Sequence, residues 1–227
     1  MAIITAVLVI LLLVFGPGLW VRRVLERYSH PGDRYSGTGA DLARYLLDQQ
    51  GLQHVAVEPT GEGDHYDPVK KAVRLMPERF EGRSLTAMTV AAHEVGHALQ
   101  DQQRYLPLRL RTRLVRATRH VERLGAGLLM VSPFIGATTR LPALGILMFV
   151  AGLGTLGSST LVHLVTLPTE FDASFARALP LLDRYSILKS VDRPHAKRLL
   201  KAAAFTYVAA SLMSLLNIAR WWAILRR

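Results

Sequence analysis

The sequence from residue 91 to residue 100 is AAHEVGHALQ, and it contains the pattern HExxH. Its two histidines, His93 and His97, are four residues apart, so on an α-helix their side chains lie one above the other on one face. Two imidazole nitrogens can then bind one metal ion, and Zn²⁺ suits imidazole and carboxylate ligands. Glu94 borders the same site, where it can take a proton from a metal-bound water. The pattern therefore predicts a catalytic zinc site on a helix, with Ser84 as its N-terminal cap.

The composition narrows the possible partners and ligands. The chain has 227 residues, half of them hydrophobic, and a formal net charge of +11. Nucleic acid and an anionic membrane surface both attract such a charge, and the long apolar segments favour the membrane. We therefore expect a lipid bilayer as a partner and no nucleic acid. The chain has no cysteine, so any zinc ligands must be His, Asp or Glu.

Long apolar blocks alternate with polar segments along the chain. Blocks of about 20 apolar residues can cross a bilayer. Arg22 and Arg23 follow the first block and predict a cytoplasmic location for that end. The predicted organisation is an N-terminal transmembrane anchor, a polar zincin-like domain, a transmembrane hairpin, a second polar segment, and a C-terminal transmembrane or membrane-associated helix, at residues 1–21, 22–123, 124–167, 168–201 and 202–227. The expected fold is mainly α and membrane-embedded: a zincin-like helical domain with a small β element, plus three to four transmembrane helices.

Short patterns within the polar domain predict its local structure. Residues 41–50 have the spacing of an amphipathic helix, with Leu42, Tyr45 and Leu46 on one face. Residues 55–58 and 71–75 are strand candidates, and the segment between them is rich in turn residues. The strand at 71–75 directly precedes the HExxH helix. It is therefore a candidate edge for binding an extended peptide by β-addition.

Two histidines do not complete a catalytic zinc site, which has three protein ligands. Residues 98–105 contain no histidine, so the extended metzincin pattern is absent. Asp101 lies one turn further along the same helix and cannot reach the same ion; it faces solvent or assists His97. If residues 124–167 cross the membrane twice, the chain returns to the side of the HExxH helix just before Pro168. The first carboxylates after that return are Glu170, our first choice, and Asp172, our second.

Four segments together carry a family resemblance. They are GDHYDP, AAHEVGHALQD, LVTLPTEFDAS and KAAAFTYVAAS, at residues 63–68, 91–101, 164–174 and 201–211. Through them the chain resembles, over nearly its whole length, the YugP-type membrane zinc metallopeptidases, also called neutral protease type 2. More distantly it is similar to the HtpX and CaaX-protease gluzincins, in which the glutamate of a downstream ExxxD motif binds zinc. That glutamate corresponds to Glu170. The aspartate of the motif corresponds to Ser174, so Ser174 or Asp172 would have to orient a zinc-bound histidine.

The resemblance implies peptidase activity at a membrane and no particular substrate. We expect an integral membrane zinc endopeptidase that hydrolyses peptides or proteins, membrane proteins among them. One Zn²⁺ per chain would be bound by His93, His97 and Glu170, with Glu94 as general base. We expect a multi-pass protein of a prokaryotic cell membrane with its active site on the cytoplasmic side. The alternative is a zinc-containing membrane scaffold or partner-binding protein without turnover. Glu94 favours the enzyme, because a binding module has no use for a general base.

Four further residues are candidates for accessory roles. His65, Tyr66 and Tyr105 flank the motifs and are candidate donors to the oxyanion of the tetrahedral intermediate. His163 lies within an apolar block, where an ionisable side chain is often functional. It would orient Glu170 or line the path of the substrate.

Overall fold

The computed structural model describes residues 2–138, 142–205 and 208. Within these residues the chain forms two compact units. One, called here the polar unit, consists of residues 19–109 and 167–205; the other consists of residues 2–18, 110–138, 142–166 and 208. The HExxH motif and Glu170 both belong to the polar unit.

Helices dominate both units, as the sequence predicts. The α-helices are α1 (Ala2–Arg27), α2 (Gly39–Gln49), α3 (Pro77–Phe80), α4 (Leu85–Gln102), α5 (Leu106–Thr138), α6 (Pro142–Phe171), α7 (Leu179–Arg184) and α8 (193–205). A π-helical turn, Asp172–Ala178, joins α6 to α7, and a 3₁₀ turn, Ser190–Asp192, precedes α8. The strands are β1 (Ala56–Pro59), β2 (His65–Asp67) and β3 (Ala72–Leu75). The prediction of a mainly helical fold with a small β element is confirmed.

The three strands form one sheet in the order β1-β3-β2. β1 pairs with β3 in parallel, with Val57 opposite Val73, and β2 pairs with β3 antiparallel, with Tyr66 opposite Val73. The prediction that the strand before the HExxH helix is an edge is wrong, because β3 is the central strand and both of its sides are paired. β2 was expected to be part of a loop, since its three residues are too few to show an alternating pattern.

The core of the polar unit is built around α4. From Leu85 to Gln100 every residue of this helix is buried, which is typical of a helix surrounded by protein on all sides. The predicted amphipathic helix at 41–50 is present as α2, capped by a reciprocal pair of hydrogen bonds between Thr38 and Asp41. Leu42 and Leu46 of α2 pack into the core, whereas Tyr45 is 43% exposed and does not belong to the buried face.

The prediction of three to four transmembrane helices is wrong. Among the helices of the described residues, none combines the length and the apolar character that a membrane crossing requires. In α5 the physical reason is visible in the sequence: its first half is rich in arginine, and the apolar run that starts at Leu124 falls short of about 20 residues. Most of the C-terminal block predicted at 202–227 lies outside the described residues.

Candidate metal centre

The HExxH motif lies in the middle of α4, far from either end of the helix. The Ser84 hydroxyl accepts a hydrogen bond from the Ala87 N–H at 3.2 Å, so the helix begins with the predicted cap. His93 and His97 are 5% and 4% exposed, and their ring centroids are 4.8 Å apart. Glu94 is equally buried beside them. The i, i+4 spacing therefore places both imidazoles on one buried face.

The structure brings Glu170 to the two histidines. This residue is at the C-terminal end of α6 and is 1% exposed. Its Oε2 atom lies 3.2 Å from Nε2 of His93 and 3.4 Å from Nε2 of His97. One donor atom from each of the three residues lies within 4.8 Å of the others. Two imidazole nitrogens and one carboxylate oxygen form a donor set that fits zinc, with a coordination position left for water.

The charge of Glu170 suits a metal ligand. Burial alone would raise the pKa of this carboxyl group. His97 and His93 outweigh that effect and hold the pKa of Glu170 well below its usual range. The group is therefore an ionised carboxylate in a buried position, which is the form that binds Zn²⁺.

The π-helical turn after Glu170 keeps one side of the chain facing α4. Four buried residues recur at intervals of four: Glu170, Ser174, Ala178 and Leu182. This interval is longer than the 3.6 residues of an α-helical turn. The wider turn accommodates it, since the Leu179 N–H donates to the carbonyl of Ser174, five residues earlier. Such turns are frequent at functional sites.

Ser174, the residue at the position of the ExxxD aspartate, contacts a histidine of the cluster. Its Oγ atom lies 3.1 Å from Nδ1 of His93, and the same hydroxyl donates to the carbonyl of Leu200 at 3.4 Å. Of the two residues predicted to orient a histidine, Ser174 is therefore the one in direct contact with an imidazole. Asp172 instead accepts hydrogen bonds from Gln100 and from Arg177.

Gln100 is a site residue that the sequence analysis missed. Its side chain is fully buried, and Oε1 lies 2.9 Å from Nδ1 of His97. Its Nε2 atom donates to the carbonyl of Thr169 at 2.8 Å and to the carboxylate of Asp172 at 2.7 Å. Gln100 lies three residues after His97, on the same helical face, and this spacing was the signal available in the sequence.

The described contacts of Asp101 are with the sheet segment rather than with His97. Its carboxylate accepts hydrogen bonds from the Tyr66 hydroxyl at 2.7 Å and from Lys71 at 2.5 Å. Burial, followed by the effect of Asp101, raises the pKa of Tyr66, so this hydroxyl remains protonated. Asp101 therefore fastens the strand segment to the C-terminal end of α4.

The accessory candidates are not brought together as a group. Nδ1 of His65 lies 2.8 Å from the carbonyl of Gly63, and the Tyr66 hydroxyl is bonded to Asp101 as described. The ring of Tyr105 lies under the guanidinium group of Arg177, at 5.5 Å. His163 lies in α6, but its side chain is outside the described part of the structure. The role of an oxyanion donor stays a prediction for each of the first three.

Known proteins match the chain over almost its full length. Residues 3–226 match the family described as "Putative neutral zinc metallopeptidase". The chain belongs to this family. A relative named "Putative membrane protease YugP", from Bacillus subtilis (strain 168), is 37% identical over 203 residues, which cover 88% of this chain and 86% of the relative. No solved structure matches the chain significantly. The resemblance predicted from the four segments is confirmed, and zinc is the cofactor of this family.

The variable position before the second histidine is glycine in this zinc metallopeptidase, and the fold requires it. A Cβ atom on Gly96 would lie 2.7 Å from the backbone oxygen of Ala173 and 3.3 Å from its carbonyl carbon. Atoms of the main chain cannot yield to such a contact without moving the turn itself. The absence of a side chain at Gly96 thus lets the segment with Glu170 and Ser174 approach α4.

We expect Gly96→Ala to separate these two segments. The free energy of unfolding should fall by about 1–3 kcal/mol, as for other overpacked sites, and zinc should bind more weakly. Denaturant titration and competition with a zinc chelator measure the two effects. Gly127→Ala is the matched control, because Gly127 is also helical and a Cβ atom there would meet nothing within 4 Å. If both variants behave alike, the close approach at Gly96 does not matter.

Proposed function

We propose that the chain is a zinc-dependent endopeptidase in which His93, His97 and Glu170 hold the metal and Glu94 is the general base. The observation that carries the proposal is the convergence of the Glu170 carboxylate on both Nε2 atoms, at 3.2 and 3.4 Å. Glu170 comes from a different helix than the two histidines. It is 77 positions after His93 and 73 positions after His97 (170 minus 93 and 170 minus 97). A buried carboxylate beside two buried imidazoles is costly unless it serves a bound cation.

The chemistry follows from the types of side chain present. Zinc bound here would polarise the scissile carbonyl and lower the pKa of a water molecule. Glu94, adjacent to His93 in α4, removes the proton of the attacking water and returns it to the leaving amine. Gln100 contacts Nδ1 of His97 and Ser174 contacts Nδ1 of His93, on the side of each ring away from Glu170. The buried surroundings exclude bulk water and strengthen these electrostatic interactions.

We further propose that the enzyme acts at a membrane surface. Support comes from the name of the Bacillus subtilis relative, a membrane protease, and from the net charge of +11. Arg104, in the turn after α4, and Arg109, near the start of α5, are exposed in the polar unit. Exposed basic side chains are attracted to anionic lipid headgroups, which are enriched in the cytoplasmic leaflet. An active site on the cytoplasmic side and peptides of membrane proteins as substrates fit this location.

Metal removal tests the enzymatic part of the proposal. We expect the purified chain to cleave casein, to lose that activity when a chelator removes zinc, and to regain it with about one equivalent of Zn²⁺. Mass spectrometry of the fragments identifies hydrolysed peptide bonds. Cleavage that persists after complete zinc removal would contradict a metallopeptidase. One bound zinc per chain without cleavage of any peptide would instead support the scaffold alternative.

A further inference from the structure

We propose that Gln100 is the positioning residue for His97, and that a chain of hydrogen bonds from Arg177 through Asp172 and Gln100 fixes which imidazole nitrogen faces the metal. The inference rests on the zinc site of the proposed function. It adds a requirement for a neutral amide at a place where a carboxylate often contacts a zinc-bound histidine.

An imidazole needs such a partner because its two nitrogens differ. A neutral histidine carries one N–H, and the nitrogen without the proton binds the metal. Nε2 of His97 faces Glu170 at 3.4 Å, so this nitrogen must present its lone pair to the metal. Nδ1 must then carry the proton and donate it to an acceptor. The atom next to Nδ1 of His97 is Oε1 of Gln100, at 2.9 Å.

The orientation of the Gln100 amide follows from its other neighbours. The carbonyl of Thr169 and the carboxylate of Asp172 both lie within 2.8 Å of Nε2 of Gln100. Both groups are acceptors only, so they require the NH₂ group of the amide. The amide oxygen is then directed at His97 and can only accept. The neighbours of Gln100 thereby determine that Nδ1, rather than Nε2, carries the proton of a neutral His97 ring.

The chain of hydrogen bonds ends at the charged guanidinium group of Arg177. Oδ2 of Asp172 accepts from Gln100 at 2.7 Å and also from Nε of Arg177 at 2.6 Å. Arg177 in turn donates to Gln103, near the end of α4, at 2.7 Å. The π-helical turn is therefore linked to the end of α4 at two points: Asp172 bonds to Gln100, and Arg177 bonds to Gln103. A single oxygen of Asp172 serves both donors, so an asparagine at this position can keep both bonds.

His93 is held in a different way. Its partner is the hydroxyl of Ser174, at 3.1 Å, which donates its own proton to the carbonyl of Leu200 and therefore accepts at His93. Gln100 and Ser174 thus serve different histidines. Loss of Gln100 should therefore affect the tautomer of His97 specifically.

The first test replaces Gln100 with methionine, which has a similar shape but makes no comparable hydrogen bond. We expect zinc affinity, measured by chelator competition on the full chain, to fall by about 10–100-fold. Gln102→Met is the matched control, since Gln102 is an exposed residue of the same helix and should stay within about twofold of wild type. Unchanged zinc affinity in Gln100→Met would overturn the proposal.

Nitrogen NMR of the zinc-loaded protein separates positioning from general damage. With ¹⁵N-labelled histidine, wild type should show a His97 Nδ1–H signal that exchanges slowly with water, assigned by its absence in His97→Ala. Gln100→Met should lose the slow exchange of this proton, while the His93 signal is retained. Weaker zinc binding with an unchanged His97 signal would overturn the proposal, since it would indicate only a structural role.

A pair of variants at Asp172 tests the chain of hydrogen bonds without changing Gln100. Asp172→Asn should bind zinc within about twofold of wild type, whereas Asp172→Ala should bind it several-fold more weakly. Equal zinc affinities of the two variants would contradict the role of this chain of hydrogen bonds. If wild type itself binds no zinc, the proposed function fails. If wild type binds zinc but all these variants match it, only the role of Gln100 fails.

Discussion

Glu94→Gln is expected to keep about one zinc per chain while the rate of casein cleavage falls by about 10²–10⁴-fold, the contribution of a general base. Glutamine has the shape of glutamate but cannot accept the proton of the attacking water. Glu94 lies beside His93 in α4 and is not one of the three residues whose donor atoms converge. This variant should therefore bind zinc normally but cleave peptide bonds slowly.

The measurements for Glu94→Gln are zinc content by atomic absorption and initial rates of cleavage. Glu62→Gln is the matched control, because Glu62 is an exposed residue of the loop before β2 and should retain full activity. Equal rates of cleavage for wild type and Glu94→Gln would eliminate Glu94 as the base. Loss of zinc in Glu94→Gln would instead indicate that this carboxylate helps to hold the metal.

Glu170→Ala is expected to abolish zinc binding at stoichiometric metal concentrations. The variant keeps both histidines of α4 but removes the carboxylate, so two ligands remain where a catalytic site has three. Its affinity should fall by more than the roughly 10–100-fold that follows loss of a residue supporting a ligand. The side chain is 1% exposed, so circular dichroism must first show that the variant is folded.

Chelator competition compares Glu170→Ala with Glu62→Ala, in which an exposed glutamate is removed from the same unit. Glu62→Ala should bind zinc like wild type. Full zinc retention in a folded Glu170→Ala would show that another residue completes the site. The effect of zinc on the melting temperature is a second readout, because a ligand that binds only the folded state stabilises it.

The local part of the site was predictable because it depends on one helix. The spacing of His93 and His97 fixes their common face whatever surrounds α4. Glu170 is a different case, since the sequence of its own helix contains no metal-binding motif. It was found through an expected membrane topology and through resemblance to a family motif. The topology was wrong, yet the same residue lies beside the histidines, so the motif was the sounder basis.

The contacts that the sequence analysis missed join segments far apart in the chain. Gln100 bonds to Thr169 and Asp172, about 70 residues away, and only the folded structure shows which acceptors its amide meets. β2 was missed because a strand of three residues is defined by its partner, β3, rather than by its own pattern. The transmembrane prediction came from apolar blocks of the sequence, and among the helices of the described residues none has both the length and the apolar character that a membrane crossing requires.

Zinc-edge anomalous diffraction from crystals of the wild-type chain shows which residues bind the metal. We expect one anomalous peak per chain, within about 2.0–2.2 Å of Nε2 of His93, Nε2 of His97 and a carboxylate oxygen of Glu170. Glu94 should lie beside the peak without binding it. A zinc ion bound to the two histidines but not to Glu170, or bound elsewhere in the chain, would contradict the proposed three-residue site.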